Sequence, residues 1–247
     1  MEAPAPASAL IHSATLVSAG IFIVLRLSPF FELSTCGQFV IPVVGAITSF
    51  YGGIVSSAQT DLKKILAYST ISHCGFMMLL ASTHNVDLTL LYLYIHGFFK
   101  ALLFLAAGNI MRFFKCQDFR YMGGAYKYLP LECVICIFSF WHLSGGPFSY
   151  GYIAKHYIIT SVTGNNLTSV FIYANLLMSI LASIIYSYRF IYFVFFDFKK
   201  GKKPIYNTYS SPQLSSLSFS MSTRAGISII FISYVFILLT SSYVVSL

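Results

Sequence analysis

Long stretches of this sequence contain no charged side chain. Six such intervals hold at least 22 residues each without Asp, Glu, Lys or Arg: 3–25, 33–60, 65–86, 133–154, 156–188 and 225–247. A helix that crosses the ~30 Å hydrocarbon core of a bilayer needs about 20 apolar residues. Charged residues make up only 9% of the chain, whereas a water-soluble domain carries roughly a quarter. The sequence therefore predicts an all-α, polytopic membrane protein.

The spans can be placed from these intervals and from the turn residues between them. We expect helices at about 7–26, 37–58, 64–82, 88–112, 166–197 and 225–246. The stretch 128–163 is too long for one straight span, because 36 residues would make a helix of about 54 Å. Its middle contains a helix breaker formed by Gly145, Gly146 and Pro147. This stretch is therefore either two spans or one discontinuous span.

The basic residues distinguish these two arrangements, because Lys and Arg next to a membrane collect on one side. One discontinuous span places the following residues on the same side: Lys63, Lys64, Arg112, Lys115, Arg120, Lys127, Lys199, Lys200, Lys202, Lys203 and Arg224. Only Arg26 then lies on the other side, whereas two spans would divide the basic residues between both sides. We therefore expect about seven transmembrane helices, of which the fifth is discontinuous.

A helix break at membrane depth is tolerated where its unpaired backbone groups line a cavity or are packed in protein. Transporters use such breaks to build ion sites near the middle of the membrane. A Gly-Pro kink that serves packing alone is the alternative. Both interpretations stay open on the spacing alone.

Lys100 is the clearest functional candidate, since it lies near the middle of an otherwise apolar span and a charge there is costly to insert. His96 and Tyr92 precede it by one and two helical turns, so the three side chains share one face over about 12 Å. Histidine and a lysine in a low-dielectric site both suit proton transfer near neutral pH. This face predicts a proton relay, and the alternative is a structural histidine beside a paired lysine.

Other titratable residues lie inside or beside the spans. His12 is in the first span among hydroxyl side chains, and His73 is in the third. His142 comes directly before the break, and Lys155 follows it. Each residue alone is as easily a satisfied core residue as a relay member, but their recurrence favours a polar axis through the bundle.

The residue spacing argues against other functions. The histidines include no H-x-x-x-H or E-x-x-H pair, so we expect no metal site. No phosphate-binding glycine-rich loop is present. The basic residues are sparse and do not alternate with stacking aromatics, so nucleic acid is not expected as a partner.

Four motifs in order resemble the antiporter-like subunits of respiratory complex I. Residues 1–15 are similar to the family pattern A-M-x-x-P-T-P-V-S-A-L-I-H-A-A-T, and residues 61–70 to D-[IL]-K-[KR]-x-x-A-[YF]-S-T. Residues 96–105 resemble H-A-F-F-K-A-L-L-F-L, and residues 117–124 resemble Q-D-[IM]-R-K-M-G-G. The resemblance extends to about residue 200 and is densest up to residue 128.

The resemblance implies an inverted-repeat proton channel with two five-helix halves, each containing a broken helix. It places His12 at the bridging histidine, His96 and Lys100 at relay positions, and Asp61, Lys63 and Lys64 in a motif at a loop and helix start. It implies a membrane-arm subunit of a proton-translocating NADH:ubiquinone reductase in the mitochondrial inner membrane, with basic loops on the matrix side.

No redox chemistry and no cofactor are expected in this chain itself. The resemblance assigns NADH, FMN, iron–sulfur clusters and ubiquinone to other subunits of the complex. It leaves room for membrane lipid such as cardiolipin as a bound ligand, and it implies the other membrane-arm subunits as partners.

The family pattern also suggests a division of the chain. We expect the last helix of the first half-channel at 1–32 and a matrix-side loop at 198–224. The second antiporter-like half-channel would cover 33–63 and 64–197, with its broken helix at 128–163, and a C-terminal transmembrane helix would cover 225–247. Because the family's first half does not precede this sequence, we expect a separate polypeptide to supply it.

The region after the break departs from the family pattern G-F-F-S-K-D-E. Tyr150 takes the place of the exit lysine, with Lys155, His142 and His156 as substitutes. No carboxylate is evident within the spans, so the partner of Lys100 is expected from another chain or from water. Three functions stay open: a working proton half-channel, a structural membrane-arm subunit that has lost pumping, and a cation/proton antiporter subunit.

Overall fold

The computed structural model describes residues 4–83, 85–162 and 166–198, which form a bundle of helices. In chain order the helices are α1 (Ala5–Arg26), α2 (Ser28–Leu33), α3 (Thr35–Ala58), α4 (Leu62–Ser82), α5 (Val86–Phe114), α6 (Pro130–Ser144), α7 (Tyr150–Ser161) and α8 (Leu167–Phe196). Helices α1 and α8 each contain a π-helical turn, at Leu10–Thr15 and Tyr192–Phe196. These described ranges contain no β-strand.

The predicted all-α membrane fold with one discontinuous span is confirmed. Helices α1, α3, α4, α5 and α8 are long and apolar enough to cross a membrane. Helices α6 and α7 have 15 and 12 residues, so each is too short to cross alone, and together they form the broken span. The helix predicted at 225–246 and the predicted loop 198–224 beyond its first residue lie outside the described ranges.

Helix boundaries differ from the predicted ones by a few residues, for local reasons. Helix α4 begins at Leu62 instead of 64: the side chain of Lys63 is buried, and Lys64 Nζ lies 2.8 Å from Asp61 Oδ2. Helix α5 begins two residues early because the side chain of Asn85 accepts a hydrogen bond from Leu88 N at 3.4 Å. Capping and local pairing thus extend the helices beyond their apolar cores.

The connections bring most of the basic residues within the described ranges to one end of the bundle. Leu62 N donates to Gln117 O, and Phe119 N donates to Thr60 O, both at 3.1 Å. Helix α8 reaches the same end, where Arg189 lies 4.9 Å from the centre of the Phe119 ring. This basic end carries Lys63, Lys64, Arg112, Lys115, Arg120 and Lys127, and Arg26 ends α1 at the opposite end.

Helices α3 and α4 cross at backbone contact. A side chain added to Gly75 would collide with the backbone of Ser49, and one added to Gly52 would lie 2.6 Å from Ser72 N. Small residues at such crossings let membrane helices approach closely. This contact holds α4, which carries several buried polar side chains, against the rest of the bundle.

The helix break has a defined local structure. Gly145 ends α6 with φ +85°, a left-handed conformation that glycine adopts without strain. Ser149 begins α7 by accepting a hydrogen bond from Tyr152 N at 3.2 Å. Gly151 packs so tightly that a side chain would collide with the carbonyl oxygen of His142. The two half-helices therefore meet inside the bundle with their ends in close contact.

Candidate functional site

Lys100 is fully buried and finds its partner within this chain. Its exposed fraction is 0%, and its Nζ donates a hydrogen bond to Ser69 Oγ on α4. The expectation that the partner of Lys100 comes from another chain or from water was therefore wrong. That expectation considered only carboxylates, and a serine hydroxyl on a neighbouring helix also accepts a hydrogen bond from an ammonium group.

His73 connects helices α4, α5 and α8. Its Nδ1 lies 2.7 Å from the Tyr92 hydroxyl, and its Nε2 lies 3.1 Å from the Tyr186 hydroxyl. The His73 ring centre is 5.2 Å from that of His96. A neutral imidazole has one donor and one acceptor nitrogen, so one tyrosine donates to His73 and the other accepts from it. Exchange between the two tautomers would move a proton from one side of the ring to the other.

Lys155 is buried against the helix break. Its Nζ donates to the carbonyl oxygens of Leu143 and Ser144 at 2.9 Å each, and to Ser183 Oγ at 3.0 Å. These acceptors use all three donor positions of an ammonium group. The two carbonyls belong to the C-terminal turn of α6, where the helix dipole favours a cation. The broken span thus provides a cation site for Lys155.

Three hydrogen-bonded pairs of side chains on α4, α5, α7 and α8 lie in sequence between Lys100 and Lys155, each separated from the next by one helical turn. Lys100 bonds to Ser69, and His73 lies one turn further along α4. His73 bonds to Tyr186, Ser183 lies one turn away on α8, and Ser183 bonds to Lys155. Residues one turn apart on a helix lie about 5–6 Å from each other. The lysine network, defined as Lys100, Ser69, His73, Tyr186, Ser183 and Lys155, therefore crosses the interior of the bundle.

Most of the side chains predicted for the relay lie in or beside this network. Tyr92, His96 and Lys100 are all buried on one face of α5. Their hydrogen bonds run across to α4 instead of along α5, because Tyr92 bonds to His73 and Lys100 bonds to Ser69. His142 stacks on Phe99, with ring centres 4.5 Å apart.

Other predicted positions lie elsewhere. His12 is half-buried in the π-helical turn of α1, and the hydrogen bonds of the lysine network do not include it. Tyr150 is buried at the start of α7, while His156 is exposed. Among the residues considered after the break, it is Lys155 that reaches the network.

The breaker residues follow the C-terminal end of α6, and the helix-start motif lies at the N-terminal end of α4. Gly146 N donates to Trp141 O at 2.9 Å, and Trp141 Nε1 donates to the carbonyl oxygen of Pro147 at 3.3 Å. At the basic end, Asp61 pairs with Lys64, and the buried Lys63 lines a cleft of about 550 Å³. The first group closes the helix break, and the second secures the start of α4.

Two aspartates outside the spans share a hydrogen bond. The bond between their side chains raises the pKa of Asp118 above its usual value. The same bond, together with the ammonium group of Lys64, lowers the pKa of Asp61. The two carboxyl groups therefore differ in acidity, and they lie where the backbone at the start of α4 pairs with the connection between α5 and α6.

Several residues of the site were missed or left undecided at the sequence level. Ser69, Ser183 and Tyr186 were not singled out, because hydroxyl side chains are common in apolar helices. Serines 179, 183 and 187 recur every four residues along α8, and this pattern could have indicated a polar face. Glu132 was passed over because it borders a charge-free interval, yet it is 1% exposed.

Comparison with known proteins identifies the family. Residues 1–182 match the family described as "NADH:quinone oxidoreductase/Mrp antiporter, TM". The chain belongs to this family. The resemblance seen in the four motifs is thus confirmed over most of the sequence.

Relatives in the family share substantial identity with the chain. It is 46% identical over its whole length to "NADH-ubiquinone oxidoreductase chain 5" of Paramecium tetraurelia, covering 43% of that protein. It is 38% identical to the protein of the same name in Acanthamoeba castellanii, over 96% of this chain and 35% of that protein. It is 39% identical to "NADH-quinone oxidoreductase subunit L" of Neisseria meningitidis, over 82% of this chain and 30% of that protein. The chain thus spans less than half the length of these relatives.

A solved structure has the same fold. The chain superimposes on a protein in the structure of the Mrp complex from Dietzia sp. DQ12-45-1b with a TM-score of 0.74, at 22% identity. The match covers 93% of this chain and 24% of that protein. The antiporter-like helical architecture is therefore shared, and the relatives' printed names describe components of multi-subunit assemblies.

Proposed function

We propose that this chain forms a proton-conducting half-channel in the membrane arm of a proton-translocating NADH:ubiquinone oxidoreductase. The observation that carries the proposal is the lysine network, which links Lys100 to Lys155 at the helix break. Membership of the NADH:quinone oxidoreductase/Mrp antiporter family and the 46% identity to a chain 5 protein support the choice of enzyme.

The network suits transport because neutral groups hold both lysines. A carboxylate in direct contact would favour the charged lysine at all times, whereas hydroxyl and carbonyl oxygens leave the loss of a proton accessible. Two ammonium groups in one buried network also repel each other, so a proton arriving at one favours release from the other. His73, with a hydroxyl group at each ring nitrogen, lies between the two lysines.

The proposal includes the setting of the chain. We place it in the mitochondrial inner membrane with the basic end facing the matrix, in accord with the positive-inside rule. NADH, FMN, iron–sulfur clusters and ubiquinone would bind to other subunits, and membrane lipid such as cardiolipin would surround the spans. In this arrangement the other membrane-arm subunits are the partners of the chain.

Replacing Lys100 tests the proposal directly. The assembled complex carrying Lys100→Ala would be reconstituted in vesicles, and protons translocated would be measured per NADH oxidised. A positioned proton carrier contributes a factor of about 100 or more to proton transfer. Transport through this chain should therefore nearly vanish, and the ratio of protons to electrons should fall.

A second variant tests the middle of the network. Tyr186→Phe removes one hydroxyl group that bonds to His73, and it should also lower the ratio. Tyr188→Phe on the same helix is the matched control, because Tyr188 is exposed and lies outside the network. An unchanged ratio in both Lys100→Ala and Tyr186→Phe would contradict transport and favour a structural subunit that has lost pumping.

A further inference from the structure

The inner face of α6 carries buried polar atoms that the lysine network does not use. Glu132 Oε2, Ser139 Oγ and His142 Nδ1 have no hydrogen-bond partner among the described residues. The exposed fractions of these residues are 1%, 0% and 8%. Positions 132 and 139 are two helical turns apart, and position 142 lies one further turn along. Together the three side chains form a polar stripe along about 15 Å of the helix, with Glu132 at one end and His142 at the other.

The Glu132 end of this stripe approaches the basic end of the bundle. Asn109 Nδ2 donates to Glu132 Oε1 at 3.2 Å. Asn109 also lines the cleft of about 550 Å³, together with Lys63, Arg112 and Lys115. Only one side chain therefore separates the buried carboxyl group from a cleft large enough to hold water.

The His142 end of the stripe contacts α5 and adjoins the carbonyl groups that bind Lys155. His142 stacks on Phe99, the residue before Lys100. The carbonyl groups of the next two residues, Leu143 and Ser144, accept hydrogen bonds from Lys155. The stripe thus runs from the basic cleft to the helix break.

We propose that this face of α6 is a proton-uptake route that supplies the lysine network from the basic end. Glu132 accepts a proton at the cleft, Ser139 binds a water molecule along the way, and His142 passes the proton to the network. Buried polar atoms are normally paired with protein or ordered water, and a carboxyl, a hydroxyl and an imidazole in line can all exchange protons with water. The inference rests on the proposed transport function and adds Glu132, Ser139 and His142 to it.

The first test replaces the carboxyl group and preserves its shape. Glu132→Gln retains an acceptor for Asn109 but cannot take up a proton. In the reconstituted complex, the initial rate of proton transport is divided by the rate of NADH oxidation. We expect this quotient to fall roughly twofold or more. Glu132→Asp keeps a carboxyl group and should restore part of the rate. If the side chain had only a structural role, no such recovery would be expected. Glu32→Gln, at an exposed acid in α2, is the matched control and should leave the rate unchanged.

The second test remains informative if the glutamate variant fails to assemble. Alanine differs from serine only by the hydroxyl group and favours a helix, so Ser139→Ala should leave assembly intact. The uptake route requires that this same variant slow proton transport. Normal transport in both Ser139→Ala and Glu132→Gln would overturn the route.

Lys100→Ala separates the two proposals. Loss of transport in Lys100→Ala, with normal transport in Glu132→Gln and Ser139→Ala, would overturn the uptake route and leave the half-channel standing. Normal transport in both Lys100→Ala and Tyr186→Phe would remove the proposed function and the uptake route together.

Discussion

At the scale of single residues, the two lysines of the network are held by neutral oxygens. Lys155 bonds to two backbone carbonyls and a serine, and Lys100 bonds to a serine. Each hydroxyl or carbonyl compensates part of the cost of burying an ammonium group without fixing its charge. Residues of this kind are suited to changing protonation state during a cycle, which a lysine in a tight carboxylate pair is not.

The aspartate pair at the basic end makes a testable prediction about pH. The raised pKa of Asp118 adds stability at low pH that is lost as the pH rises through that value. The lowered pKa of Asp61 acts in the opposite sense, and its contribution is lost as the pH falls through it. Asp118→Asn replaces the titrating carboxyl group with a neutral amide, so this contribution no longer depends on pH. Its thermal midpoint should therefore decline less than that of the native chain between about pH 4 and pH 7.

The measurement is thermal unfolding of the purified protein in detergent across this pH range. Asp87→Asn is the control, since Asp87 lies in the first turn of α5 at the opposite end. Parallel pH curves for the native chain and Asp118→Asn would contradict a raised pKa of Asp118. The effect should be small, because both aspartates lie near the surface.

At the scale of helices, glycine contacts and the break determine where polar side chains meet. Helix α4 lies against α3 through Gly75 and Gly52, and this contact fixes the position of Ser69 and His73. Gly145 ends α6 in a left-handed conformation, which directs the last carbonyls of that helix towards Lys155. The network therefore depends on how closely the helices pack.

Gly75→Ala should loosen this packing. The added methyl group would collide with the Ser49 backbone, and overpacking of this kind costs about 1–3 kcal/mol. Gly97→Ala on α5 is the matched control, because no atom beyond its own stretch of helix lies within 4 Å of the position that its side chain would occupy. It should stabilise the helix by up to about 1 kcal/mol. Thermal unfolding in detergent measures both effects, and equal midpoints for the two variants would contradict the close crossing.

At the scale of the whole molecule, this chain corresponds to part of a longer fold. It covers 43% of one curated relative and 30% of another. The described helices include the discontinuous span and the helices around it. The proposed channel is therefore argued for this part of the fold alone.

The separate companion polypeptide expected from the sequence stays a prediction, and it can be tested on the purified complex. Mass spectrometry of the purified complex should then find a second polypeptide, similar to the first half of the relatives, in equal amount with this chain. Peptides that join such a first half covalently to residues near Pro4 would contradict a separate polypeptide.

The sequence by itself determined the membrane class, the approximate spans, the site of the helix break and the clustering of basic residues. These properties follow from one-dimensional patterns, because a charge inside a bilayer is costly wherever it occurs in the chain. Lys100 stood out for the same reason. The buried polar face of α5 also followed from residue spacing, since Tyr92, His96 and Lys100 are one turn apart.

Only the tertiary structure decided which groups these residues meet. Family spacing pointed to Tyr150 at the exit position, whereas the close contact of α6 and α7 at Gly151 brings Lys155 to the break. Ser69 and Tyr186 became part of the site because α4 and α8 pack against their partners at these positions. Hydroxyl groups occur on most of these helices. Their pairing depends on helix crossings, which no local pattern of residues specifies.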